Sequence, residues 1–290
     1  MGGVAATCPR YAGGGADRLS VHLPRHDRRW VLDGLCRTFG IDAFKFDNSG
    51  LSNYIGVKPH DGTLDVSGQN GKYAGLATDY PGSECRNAFG LAGKPIVMRL
   101  HDKEHCWADV QRLVPDMLAA GLTGYPFICP DMIGGGSWTA FLPGAPFDPE
   151  LFIRSAQIHA LCPMMQISAS PWRIPDATHQ KAFLTAVALR QKFAPKFVGL
   201  AKMAAKTGEP IMRPLEYVFP GCGFAGIRDE FMMGEDLLVA PVTEKGVRSR
   251  AVVLPSGTWR ADDGTTCEGP RTISVETPLE RVPHFIRIEK

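Results

Sequence analysis

One unit recurs along the first two-thirds of this chain and limits what it can fold into: a short apolar run, a polar loop carrying an aspartate, then an amphipathic helix. Trp30, Val31, Leu35 and Phe39 recur at helical spacing, and Gly40 ends that helix. Ile41–Phe46 reads as a strand, with Asp47-Asn48-Ser49-Gly50 as the loop after it. Ile96–Leu100 is a second strand followed by the loop His101–His105. Trp107–Ala120 is a helix with Val110, Leu113, Val114, Met117 and Leu118 on one face and Gly121 as its stop. Tyr125–Cys129 is a strand running into the loop PDMIGGG, 149–162 a helix, Met164–Ile167 a strand and 179–206 a long helix. Strand, polar loop, helix, strand is the pattern of a parallel sheet. A parallel barrel gathers its chemistry on the face where the strands end. An open doubly wound sheet shares the alternation, but no GxGxxG or GxxxxGK[ST] follows any of these strands, which removes the nucleotide-binding evidence for that fold.

The pattern changes after Gly208. Short β-like runs follow at Ile211–Met212, Leu237–Val242, Val247–Leu254, Thr272–Val275 and Phe285–Ile288, separated by turn signals such as Pro255-Ser256-Gly257 and Asp262-Asp263-Gly264. They imply a small antiparallel β domain. The Gly- and Ala-rich first twenty-odd residues have no periodicity and read as a poorly packed lead-in.

Composition narrows the function classes. A net charge of +2 gives no basic field for nucleic acid and no polybasic membrane patch. The longest apolar runs, such as Leu237–Val242, are too short to span a bilayer, and the first twenty residues hold no continuous apolar segment of a secretory signal. The eight cysteines are scattered with no CxxC pair, as expected of reduced, mostly buried thiols in a cytoplasmic protein.

Four strand-end loops hold the residues that can carry chemistry. Lys45 and Asp47 are two apart, so an extended strand points them the same way. A lysine beside a carboxylate keeps it ionised, as a nucleophile requires, although a structural ion pair looks the same in sequence. Asp102 sits between a strand and a helix, crowded by Arg99, Lys103, His101 and His105. A general acid needs a carboxyl whose pKa is raised. His101 and His105 are four apart, a zinc-ligand spacing on a helix, but the motif is HDKEH rather than HExxH and the segment reads as a loop. Pro130 and three glycines let the backbone close around Asp131, which can clamp paired sugar hydroxyls or simply cap the turn. Trp172 offers an apolar platform for a sugar face or a core side chain. Arg86 stands alone in sequence and by itself reads as a surface residue.

The order of six blocks says more than any of them singly. GIDAFKFD, RLHDKEHCW, GYPFICPDMIGGG, PMMQISASPWR, GEPIMRPLEY and DEFMMGEDLLVAPVTEKG together resemble glycoside hydrolase family 31, nearest to its branch that contains the myogenesis-regulating glycosidase and bacterial relatives. The resemblance covers residue 28 to the end. It implies an α/β chain: a (β/α)8 TIM barrel over 23–208, represented by its later strands, then an antiparallel β-sandwich over 209–290, with 1–22 as lead-in. It implies retaining hydrolysis of an α-O-glycosidic bond, of α-glucosidase or α-galactosidase type, with no cofactor and no metal. By position it makes Asp47 the nucleophile and Asp102 the acid/base, with Lys45, Arg86 and Asp131 around the sugar. Family members place barrel strands and a β-sandwich ahead of the nucleophile strand; here about forty residues precede Asp47. Asn48-Ser49-Gly50 replaces the usual acidic AGE or AGD, and Ser168 stands where many members have a sugar-binding histidine. A non-catalytic carbohydrate-binding remnant of the same fold is the second expectation.

Overall fold

The computed structural model describes residues 25–47, 51–57, 62–142, 144–167, 169–174 and 176–289. The lead-in expected over 1–22, the Asn48-Ser49-Gly50 loop and Ser168 lie outside them. Among the described residues, α1 (Arg25–Phe39), β1 (Lys45–Phe46), α2 (Val66–Ala74), β2 (Glu84–Cys85), β3 (Val97–Arg99), α3 (Trp107–Leu122), β4 (Ile128–Cys129), α4 (Pro149–Ala160) and α5 (Ala177–Thr207) follow in order. The four strands form one parallel sheet in chain order, with Lys45 opposite Glu84, Cys85 opposite Met98, and Arg99 opposite Cys129. Because the strands run the same way, the residues just past their ends meet along one rim.

The helices start and stop where local chemistry dictates. The side chain of Asp148 accepts from Leu151 N–H (3.2 Å) at the start of α4, and Asp176 accepts from Thr178 and His179 N–H at the start of α5. Gly40 and Gly208, both at positive φ, end α1 and α5. Every residue of α4 from Leu151 to Ala160 is buried, so this helix shows no polar face and forms the middle of the fold.

After Gly208 come β5 (Met212–Arg213), α6 (Leu215–Val218), β6 (Phe231–Met233), β7 (Leu237–Val239), β8 (Ser249–Ala261), β9 (Thr266–Glu276) and β10 (His284–Glu289). They form an antiparallel sheet in the order β5-β6-β7-β10-β8-β9. The Pro255-Ser256-Gly257 signal is not a turn between strands: it is a register shift inside β8 between Leu254 and Gly257, where Gly257 at φ 124° absorbs the irregularity. The chain reverses instead at Asp262–Gly264.

The barrel part and the sheet share a core. Val114, Met117 and Leu118 of α3, Ile158 of α4 and Phe193 and Phe197 of α5 pack with Met212, Phe231, Met233 and Val239 of the sheet. A separate cluster of Leu238, Val252, Leu254, Trp259 and Phe285 fills the sheet's other side. The strand expected at Met164–Ile167 does not form. Arg190 of α5 holds the carbonyls of Cys162 and Pro163, and among the described residues the segment's backbone is bonded from Ile133 N–H to Gln166 O (3.0 Å) instead of by a ladder.

Candidate active site

The parallel register brings four carboxylates and two arginines to the rim. Asp47 follows β1, Glu84 and Arg86 lie on and just past β2, Arg99 ends β3 with Asp102 three residues on, and Asp131 follows β4. Arg99 is 1% exposed and sits at the centre. Its Nε donates to Glu84 Oε1 (3.1 Å), its Nη1 to Asp102 Oδ1 (2.8 Å) and Asp131 Oδ1 (2.7 Å), and its Nη2 to Asp47 Oδ1 (2.8 Å). Burial opposes the guanidinium charge, but the hydrogen bond to Asp102 and the charges of Asp131, Asp102 and Glu84 outweigh it and hold the Arg99 pKa above its ordinary value.

Arg86 closes the network from outside. Its Nη2 lies 2.9 Å from Asp47 Oδ1 and 3.1 Å from Asp102 Oδ2. Adding those two legs, the carboxylate oxygens are at most about 6 Å apart, to be set against the roughly 5–5.5 Å between the two carboxyl groups of a retaining glycosidase. Both acids reach solvent, with side-chain exposures of 58% for Asp47 and 38% for Asp102.

Asp131 enters from behind and is fully buried. Oδ1 accepts from Arg99 and Oδ2 from the Lys103 backbone N–H (2.8 Å), so inner protein groups engage both oxygens of the residue expected to clamp sugar hydroxyls. Its backbone has φ 93°, and it is the one non-glycine at positive φ among the described residues. Burial pushes its carboxyl above the usual range, against the Lys103 hydrogen bond and the Arg99 charge. Lys45 points to Glu84 (3.4 Å), its cross-strand neighbour, rather than to Asp47. Trp172 lies in the short turn Pro171–Arg173, is 80% exposed, and takes no part in this network.

Of the two histidines, His105 is held by backbone groups of other loops. Asp148 N–H donates to His105 Nε2 (2.8 Å), which leaves Nδ1 to donate to Gly134 O (2.7 Å). Burial, Lys103 and Arg112 hold the His101 pKa below its ordinary value. Among the described residues, no group of three or more His, Cys, Asp or Glu is arranged to hold a metal.

Glu84 is the site residue that sequence reading missed. No apolar run announces β2, which is two residues long. The available signal was Glu84-x-Arg86, an i, i+2 pair like Lys45-x-Asp47, which an extended strand turns to one side.

Two family models cover most of the chain: the glycosyl hydrolases family 31 TIM-barrel domain over residues 52–200, and the glycosyl hydrolase family 31 C-terminal domain over 208–290. The chain belongs to glycosyl hydrolase family 31. This family 31 chain is 31% identical to the myogenesis-regulating glycosidase of Mus musculus, over 89% of its own length and 38% of the mouse protein's. It is 26% identical to an alpha-xylosidase of Saccharolobus solfataricus, over 86% of its length and 37% of that enzyme's. Its fold matches the cycloalternan-degrading enzyme of Trueperella pyogenes, solved with a covalent intermediate, at a TM-score of 0.77 and 21% identity, over 91% of this chain and 40% of that one. The chain thus spans well under half the length of these relatives. Its parallel sheet is the matching fragment of the family's barrel, and its antiparallel sheet the domain that follows.

Proposed function

We propose that the rim is the reacting subsite of a retaining α-glycosidase, with Asp47 as nucleophile and Asp102 as general acid/base. The observation that supports this is the shared reach of Arg86 Nη2, which keeps the two bridged oxygens within about 6 Å of each other, below the roughly 6.5–9.5 Å of an inverting pair. Asp47 attacks the anomeric carbon, forming a glycosyl ester, while Asp102 gives its proton to the departing oxygen. Water then gives a proton to Asp102 and its oxygen to the anomeric carbon, and the ester bond to Asp47 breaks. Arg86, 25% exposed and between the acids, swings onto a sugar hydroxyl as substrate enters. Trp172, open to solvent, offers its ring to the sugar beyond the bond that breaks. No cofactor takes part in these steps. The substrate is an α-linked glycoside, as the alpha-xylosidase relative's name suggests. The free thiols of Cys36, Cys85, Cys129 and Cys162 suit a reducing, cytoplasmic compartment.

The test is turnover of aryl α-glucosides, α-galactosides and α-xylosides by the wild type, Asp47→Ala and Asp102→Ala. We expect Asp102→Ala to lose about 10²–10⁴-fold and Asp47→Ala at least as much; equal turnover by all three rejects the assignment. A second reading, a sugar-binding remnant without turnover, draws on the four-stranded sheet, which holds half of a barrel's strands among the described residues. It expects thermal stabilisation by sugar in wild type and both variants, with hydrolysis in none.

A further inference from the structure

The four carboxylates around Arg99 divide into two kinds. Glu84 and Asp131 are the inner pair, with side chains 13% and 0% exposed, and Asp47 and Asp102 are the open pair. The inner pair is itself fixed. Glu84 Oε2 accepts from Gln166 Nε2 (2.9 Å) while Oε1 takes Arg99 Nε and Lys45, and Asp131 Oδ2 takes the Lys103 backbone N–H. Two inner acids, one on Nε and one on Nη1, leave a planar guanidinium no freedom to rotate about its long axis or tilt. The N–H groups that remain point outward in fixed directions, from Nη1 to Asp102 and from Nη2 to Asp47. Among the described residues, neither open acid has another fully buried donor.

We infer that Arg99, locked by Glu84 and Asp131, is a positioning residue that sets the spacing of the two open carboxylates for the double displacement proposed above. Arg99 acts as a rigid template: one flat group, its two ends bonded to two acids that reach it from different loops. The inference rests on that reading of the site and adds three residues to it, none of which touches substrate. Asp131 serves here as an anchor of the guanidinium. A lysine at 99 keeps the charge but is a single point, so it cannot hold both acids and both anchors at once.

The experiment compares wild type, Arg99→Lys, Arg99→Ala and Glu84→Gln on an aryl α-glycoside, with thermal melts to establish that each variant is folded. A misplacement of about 1 Å costs on the order of 100-fold, so kcat of Arg99→Lys is expected to fall about that far with KM changed less than about threefold. Glu84→Gln keeps an acceptor oxygen for Nε and falls less. Millimolar guanidinium is expected to restore Arg99→Ala at least about tenfold where ammonium does not, because only the planar fork rebuilds the template. An Arg99→Lys kcat within twofold of wild type overturns the inference while leaving the glycosidase reading intact. Should wild type hydrolyse no α-glycoside, that reading fails, and a crystal structure of Arg99→Lys decides the inference alone. Asp47 and Asp102 drawn apart support it, whereas both acids unmoved and still bridged by Arg86 overturn it.

Discussion

Arg99 at the strand-end rim and Arg154 at the joint between α4 and the antiparallel sheet are both shut away from water, yet their surroundings differ in kind. Arg99 faces four carboxylates. Arg154 faces carbonyls: Nη2 donates to Thr277 O (2.9 Å) and Val247 O (3.3 Å), Nη1 to Gln157 Oε1 (2.9 Å), Pro278 O (3.4 Å) and Arg281 O (3.5 Å). Glu150, the acid it pairs with, is 4.0 Å away and also holds Arg248. The electrostatics follow. Burial pushes the Arg154 pKa down to about 10, helped by the Arg248 charge and only partly offset by the charges of Glu150 and Glu280, whereas the acids around Arg99 overcome its burial. Carbonyl dipoles are enough to tie two parts of a fold together. Four carboxylates around one cation, two of them open to solvent, form the kind of cluster the proposed function assigns to chemistry.

Arg154→Met tests the structural half of this comparison. It leaves carbonyls of the Val247 and Thr277–Arg281 segments without their donor inside a packed joint, at about 1–3 kcal/mol for each group left unsatisfied. Chemical denaturation is expected to show a loss of about 2–4 kcal/mol with kcat/KM of the folded fraction unchanged. A stability loss below 1 kcal/mol would mean that Arg154 is not a tie. Gly136→Ala tests the rim. A Cβ there overlaps both carboxylate oxygens of Asp131, which cannot retreat without releasing Arg99 or the Lys103 N–H. Overpacking of this kind costs about 1–3 kcal/mol, and steady-state kinetics should show kcat down about tenfold or more. Normal kcat in this variant would show that Asp131 need not be held. Trp172→Ala is the smallest change: stability within about 0.5 kcal/mol of wild type, with any effect confined to KM for substrates long enough to reach the ring. A change in stability larger than that would mean the ring packs against protein in solution.

The elements legible in sequence were those whose cores are periodic. Val110, Leu113, Val114, Met117 and Leu118 gave α3, and all five are buried. Asp47, Asp102 and Asp131 were found because each follows an apolar run that became β1, β3 or β4, although each strand is shorter than the run that announced it. α2, β2, α6 and β6 were missed. β2 is held by its neighbours in the sheet rather than by its own composition, and its absence from the sequence reading hid Glu84 and left Arg86 looking isolated. The role of Arg99 was not legible either, because a hub is defined by partners 3 to 52 residues away in the chain. The Met164–Ile167 run looked like a strand because sequence does not reveal that Arg190 holds the carbonyls just before it.

Two carboxyls spaced by shared arginines divide the work on one glycosidic bond, Asp47 at the anomeric carbon and Asp102 at the departing and then the incoming oxygen. The most direct measurement is proton NMR of an aryl α-glycoside in the first minutes after fresh enzyme is added, following the anomeric signals of the released sugar. We expect the α-anomer first, with the β-anomer growing in only as fast as free sugar mutarotates. A β-anomer released first means that water, not Asp47, attacks the sugar, and the account of this rim would be wrong.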